Sequence, residues 1–254
     1  MRTLNNGYTI ALTHPDMDPL MIAAASGMKA RMESLDMLAN NIANTGTAGF
    51  KADREFYNLY QQQLPLIENR WTDFSQGTLL PSSNPLDLAL SGPGFFALNG
   101  PTGTIYTRNG SFQISKANQL VSADGYTLRN MLDQGKPITI DPAADIAIGK
   151  DGTVSQGGQT RGRFEVDQIP TPADAIAKLG NSYFSLNLAA ASVPPKPGQD
   201  TDVLQGRLEQ SNVTVSDSTI RLIAVMRQFE MLQKALNIGT QMNKEAIQEV
   251  ARVS

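Results

Sequence analysis

LDMLANNIANTGTAGFK, residues 35–51, holds the reading of the fold. A Met- and Leu-rich pattern of helical period runs into Asn, Gly and Thr, residues that end helices. Working back along the chain, Met21, Ala25, Met28, Met32, Leu35, Ala39 and Ile42 recur at alternating steps of four and three. That heptad seam predicts a helix over 20–44. Asp18 stands as its N-cap with Pro19 at the first helical position, and Gly46 and Gly49 supply the stop.

A second, longer helix is predicted at the other end, over 216–252. Leu222, Val225, Phe229, Leu232 and Leu236 repeat the heptad spacing, and the stripe then shifts to Ile238, Met242, Ala246 and Val250. Ser216, Asp217 and Thr219 mark the N-terminal turn. Such a helix is roughly 55 Å long.

Between the helices the pattern changes to short β-rich runs broken by turns, from LDLALSG (86–92) through GFFALNG (94–100) to RFEVDQI (163–169). Asn109-Gly110, Asp124-Gly125 and Asp151-Gly152 are hairpin signals. Short strands at this spacing suggest an antiparallel sandwich or barrel-like domain. ASVPPKPGQDTD (191–202) is a Pro-rich connector expected to be extended. The fold class is therefore α+β, with N- and C-terminal helices forming a coiled-coil module around a central antiparallel all-β domain. Its expected parts are an extension (1–17), the first helix (18–49), a linker (50–75), the β domain (76–190), a linker (191–215) and the last helix (216–254). The two helices can pair with each other. Because they differ in length and are apolar on more than one line, apolar surface is left over, and such surface wants a partner.

Composition narrows the chemistry. Of 254 residues, 41% are hydrophobic and 18% charged, within the range of globular chains. A net charge of −3 argues against a nucleic-acid partner, and the absence of cysteine excludes disulfides and thiolate catalysis. No run approaches a membrane span, so no membrane insertion is expected, and the first twenty residues carry no secretory h-region. The one histidine, His14, has Asp16 and Asp18 nearby; the trio reads as a tail with a capping acid rather than a metal site. Asp141 and Asp145 read as turn residues, not a glycosidase pair. Arg108, Arg129, Arg161 and Arg163 read as a solvated face. No cofactor, metal or catalytic residue is expected, and an enzyme is the weaker class.

Four segments, in order, then resemble one family. ANNIANTGTAGFK (39–51) looks like the N-terminal signature of the bacterial flagellar rod and hook proteins. SQGTLLPSSNPLDLALSGPGFFAL (75–98), YTRNGSFQIS (106–115) and GRLEQSNVTVSDSTIRLIAVMRQFEMLQKAL (206–236) resemble the start of that family's β domain, its next hairpin and its C-terminal module. The short segment between Lys51 and Gln76 and the RQFEM wording resemble the proximal-rod branch, ahead of the distal rod; hook subunits are typically larger. The resemblance implies a structural subunit of the flagellar basal-body rod without enzymatic activity. It implies export through the flagellar type III apparatus without signal cleavage, and polymerisation through the terminal helices with copies of itself and other rod or hook subunits. FYNLY (56–60) faintly resembles an export-gate element and reads better as linker packing.

The expected assembly interface comprises Met28, Met32, Leu35, Asn40, Asn41, Ile42 and Asn44 on the first helix. On the last it comprises Leu222, Val225, Phe229, Leu232 and Leu236. Gly46, Gly49 and Phe50 form the turn by which the chain leaves the helices. Asn40, Asn41 and Asn44 are expected to hydrogen-bond across the interface and set its register. The competing class is a carbohydrate-binding or hydrolytic β domain, which requires a convergent polar pocket.

Overall fold

The structure, a computed structural model, describes residues 19–57, 67–169, 175–180, 182–187, 196–197 and 200–253. The extension 1–17, the His14, Asp16 and Asp18 trio with its capping acid, and all but the first two residues of FYNLY lie outside the described residues.

A helix at each end flanks a set of antiparallel strands. Helix α1 spans Pro19–Ala43 and helix α2 spans Val215–Val253. The strands are β1 (Asp53–Tyr57), β2 (Ile67–Thr72), β3 (Leu79–Pro81), β4 (Leu88–Ser91), β5 (Phe95–Gly100) and β6 (Gly103–Thr107). There follow β7 (Phe112–Ile114), β8 (Leu120–Ser122), β9 (Thr127–Leu128), β10 (Ile146–Ile148), β11 (Thr153–Gln156) and β12 (Gln159–Arg163). The series ends with β13 (Val166–Gln168), β14 (Ile176–Gly180), β15 (Tyr183–Leu186), β16 (Lys196–Pro197), β17 (Asp202–Gln205) and β18 (Arg207–Glu209).

The main sheet runs β14-β15-β6-β5-β9-β8-β7, with β13 joined to β5 and to β16. Its centre is buried on both faces, as side-chain alternation along each strand shows. Phe96, Leu98, Ile105 and Tyr183 face a large core that also holds Leu88, Leu90, Leu120, Leu128, Val154 and Phe164. Their neighbours Phe95, Ala97, Tyr106 and Phe184 face a second core with Ile169 and Ile176. Phe74 closes that side by edge-on packing against Phe95 and Phe184. Two-sided burial is why GFFALNG is a continuous apolar run and not an alternating one.

The spans expected as linkers carry strands. Residues 53–72 include the β1–β2 hairpin, which packs on α1, and 196–209 return as β16, β17 and β18. β17 pairs with β4 and β18 with β3, so the segment that leads into α2 is sewn to the segment that opens the β domain. Asp124-Gly125 and Asp151-Gly152 turn between paired strands, with both glycines at positive φ. Asn109-Gly110 does not make a hairpin, because β6 pairs with β5 and β15 whereas β7 pairs with β8. Gly110 is required for space instead: a Cβ there would lie 1.7 Å from the Leu88 carbonyl oxygen.

One buried acid sets a pH dependence. Burial pushes the Asp167 carboxyl up to about 6, and the neighbouring Glu165 carboxylate acts in the same direction, against Tyr106 and Arg129. With its folded pKa above the unfolded value, this group stabilises the fold fully below pH ~4. That contribution is lost as pH rises through about 6. Asp167→Asn is expected to make the protein more stable at pH 7 by on the order of 2 kcal/mol. The difference shrinks toward pH 4, as urea unfolding at several pH values will show.

Candidate assembly surface

α1 is apolar or small nearly all round, so its period does not choose the face that packs. The structure chooses Ala24, Gly27, Ala30, Ser34, Met37, Leu38 and Asn41, which are buried. Small side chains along this line allow close approach of the elements packed on it, α2 and β1. Met37 and Leu38 meet Val225, with Leu35 and Leu222 at the edge. The predicted seam of Met28, Met32, Leu35, Ala39 and Ile42 lies roughly 130° further round at about 3.6 residues per turn. Met32 is 54% exposed and Ala39 exposed, while Met28 and Ile42 are half-buried.

α2 is the reverse case. Its predicted stripe faces inward: Val225 is buried, and Leu222, Phe229, Leu232 and Leu236 are half-buried. On the opposite side a second apolar line stands in solvent, with Ile220, Ile223, Met231, Ile238 and Met242 all between 47% and 67% exposed. The helix pair therefore has a partly covered apolar face on α1, exposed at Met32, and an uncovered Ile- and Met-bearing face on α2. Isolated exposed apolar residues are ordinary; a line of five on one helix marks an interaction surface. The expected continuation of the stripe, Ile238, Met242, Ala246 and Val250, does not stay on the inner side: Ile238 and Met242 are exposed on the outer face, and the side chains of Ala246 and Val250 lie outside the described residues.

The asparagines divide. Asn40 is exposed. The Asn44 side-chain amide donates to the Asn40 carbonyl at 2.9 Å and accepts from the Thr47 hydroxyl at 3.1 Å, closing the helix end. Asn41 is buried and works within the chain: its amide donates to the Asp53 carbonyl at 2.8 Å and accepts from the Asp53 N–H at 3.0 Å. This is the pairing of one strand residue with another. Asn41 is thus committed to β1 and, being buried, is not presented to another subunit. Leucine there would strand two backbone groups of Asp53.

The exit turn divides too. Gly46 is exposed, with open space where a Cβ would stand. Gly49 has φ +66°, and its N–H donates to the Glu209 carbonyl at 2.7 Å. Phe50 is buried beneath the Lys178 ammonium, 4.1 Å from the ring centroid.

Behind the exit turn lies a polar joint that no sequence pattern announced. Lys51 and Glu209 are both fully buried, with Nζ to Oε1 at 2.6 Å, and Arg108 meets the other carboxylate oxygen at 3.2 Å. Lys51 also donates to the Ser75 carbonyl at 2.6 Å, and Gly77 N–H donates to Glu209 at 2.9 Å. Burial holds the Lys51 and Arg108 cations below their ordinary pKa ranges, against the pull of Glu209. The expectation of a solvated arginine face fails for Arg108, which is buried here, and Arg129 pairs with Glu165 at 2.9 Å. Asn212 accepts from Ala52 N–H at 2.8 Å and donates to the Asp73 carbonyl at 2.7 Å. Lys178 donates to the Lys51 carbonyl and to Asp53, each at 3.0 Å.

Among the described residues, no three His, Asp or Glu side chains gather as metal ligands, and no helix is long and apolar enough to cross a membrane.

Comparison with known proteins falls on these same parts. Residues 21–51 match the family described as flagella basal body rod protein. Residues 89–156 match the flagellar hook protein FlgE/F/G D1 domain, and residues 204–249 match the flagellar basal body rod FlgEFG protein C-terminal. The chain is 29% identical to a flagellar basal-body rod protein FlgF of Caulobacter vibrioides, over 94% of this chain and 100% of the relative. It is 31% identical to a flagellar basal-body rod protein FlgG of Bacillus subtilis, over 89% and 97%. It is 30% identical to a FlgF of Mesorhizobium japonicum, over 94% and 100%.

Proposed function

Because this chain belongs to the flagellar basal-body rod protein family, we propose that the outer faces of its two terminal helices are the surfaces through which it assembles. The family is structural and not enzymatic, and its members are subunits of the flagellar basal body that assemble with other rod and hook subunits. The observation that carries the finer reading is the exposed apolar line Ile220–Met231–Met242 on α2, together with exposed Met32 between half-buried Met28 and Ile42 on α1. They lie on different helices. A two-fold pairing of one line with itself leaves the other open, whereas joining α1 of one copy to α2 of the next covers both and, where the rotation does not close a ring, repeats as an open helix. Burying a Met or Ile side chain contributes roughly 1.5–3 kcal/mol, so a few per neighbour offset the cost of association.

In this reading α1 and α2 form a coiled-coil module, 18–49 with 216–254, and the β domain of 76–190 projects from it. The subunit passes through the flagellar type III apparatus without signal cleavage and joins the periplasmic part of the rod. We place it in the proximal rod, as a FlgF-type subunit, on the short segment between Lys51 and Gln76 and the RQFEM sequence; a FlgG-type distal position is the second reading. Met231→Glu with Ile238→Glu tests the surface. Both side chains stand in solvent, so the thermal midpoint of the purified chain is expected to stay within about 2 °C. Motility of cells carrying only the variant is expected to be lost. Normal motility with normal rods contradicts the proposal.

A further inference from the structure

Phe50–Asp53, the residues between α1 and the body of β1, are gripped from every side. Asn41 of α1 holds Asp53, Asn212 at the foot of α2 holds Ala52, Glu209 of β18 holds Lys51, and Lys178 of β14 holds the Lys51 carbonyl and Asp53. Arg108, at the end of β6, fastens Glu209 in turn to the sheet that carries the main core, and its guanidinium also donates to the Gly92 carbonyl at 2.8 Å. Two helices, the end of the β3-paired strand and two parts of the large sheet thus meet on four residues.

The composition of the joint is poor for stability alone. Two cations share one carboxylate in burial, and Arg108 Nε has no hydrogen-bond partner among the described residues. Buried ion pairs of this kind commonly give no more stability than apolar side chains of the same volume. What ions and amides add is direction: each bond here is satisfied at one mutual orientation of helix pair and β domain, whereas an apolar contact tolerates sliding. We propose that Lys51, Arg108 and Glu209, with Asn41, Asn212 and Lys178, are positioning residues that lock the helix pair and the β domain into one rigid body. On the reading of the chain as a rod subunit, the lock transmits load from the helices to the β domain without play. Asn41 and Lys51 lie in the segment matched as rod protein, Arg108 in the D1 match, and Glu209 and Asn212 in the C-terminal match. The lock therefore joins three separately matched parts of the chain.

The test uses the purified full chain and does not depend on assembly. Because the chain has no cysteine, spin labels at Lys116→Cys in the β domain and Lys234→Cys on α2, both exposed, report the distance between the two bodies. Lys51→Met with Glu209→Gln removes one charge of each sign, so the net charge of the joint is kept, and retains an acceptor for Gly77 N–H. The distribution of label distances is expected to become at least twice as wide while the circular dichroism of the fold persists. Lys178→Met, a half-exposed member of the joint, provides a milder case that keeps the buried triad intact; it is expected to widen the distribution by a smaller factor. A width unchanged in folded Lys178→Met, together with a width unchanged in the double variant or loss of its fold, overturns the lock. That outcome leaves the assignment as a rod subunit untouched, since the helix-face variants decide it separately.

Discussion

Glu209→Ala is expected to lower the stability of the purified chain by about 3–5 kcal/mol, the cost of leaving buried charge without its counter-ion. The carboxylate is fully buried between Lys51 and Arg108 and also accepts from Gly77 N–H. Its loss strands two cations and a backbone donor in a buried site. Truncation of an exposed ion pair would change stability by less than about 1 kcal/mol. The two cases are therefore separated by a urea titration. The partner substitution sharpens the test: Lys51→Met in the Glu209→Gln background removes one of the stranded cations. The double variant is expected to be more stable than the sum of the two single losses, by at least about 1 kcal/mol. A Glu209→Ala midpoint close to that of the natural chain means that the joint is not desolvated, and the energetic argument for it fails.

Gly49→Ala is the second large effect. At φ +66° a Cβ is disfavoured by about 1–2 kcal/mol. Here it would also stand 2.3 Å from the Arg108 carbonyl carbon and the Asn109 nitrogen, which are backbone atoms with nowhere to go. The total is expected to exceed about 3 kcal/mol, at the upper end of single substitutions. Gly46→Ala is the control. It lies three residues earlier in the same turn, has open space at the Cβ position, and is expected to be neutral or to gain up to about 1 kcal/mol from a stiffer unfolded chain. Equal losses at the two glycines contradict the structure of the exit turn.

The architecture of helix, antiparallel β domain and helix was legible in the sequence, because two periods differ sharply: steps of three and four at the ends, short punctuated runs between. The phase of the first helix was not. Ala24, Gly27, Ala30 and Ser34 share the period of the Met-bearing seam, and small residues score as weakly apolar although they permit the closest packing. The sequence pattern therefore pointed to a seam that the structure leaves partly outward, while on α2 Leu222 and Val225 pack against α1 and the predicted continuation at Ile238 and Met242 faces solvent. Asn109-Gly110 has the composition of a hairpin turn, yet its glycine answers to Leu88, a distant backbone that local rules do not contain. The polar joint was beyond reach for the same reason. Lys51 and Glu209 are 158 positions apart, and charged residues taken singly read as solvated; the tertiary contact of the exit turn with β18, where Gly49 N–H donates to the Glu209 carbonyl, brings them together. The signal that existed was indirect: Lys51, Arg108 and Glu209 each sit inside one of the segments that carried the family resemblance.

The outer faces of α1 and α2 are proposed to join neighbouring subunits. The most direct measurement places a photo-crosslinking residue at Met32 or at Met231 of the chain in motile cells and identifies what each captures. Adducts with copies of this chain or with other rod and hook subunits are expected from both positions, and none from Asp124, in an exposed turn of the β domain. Adducts from Asp124 with none from either helix would place the assembly surface on the β domain and contradict the account.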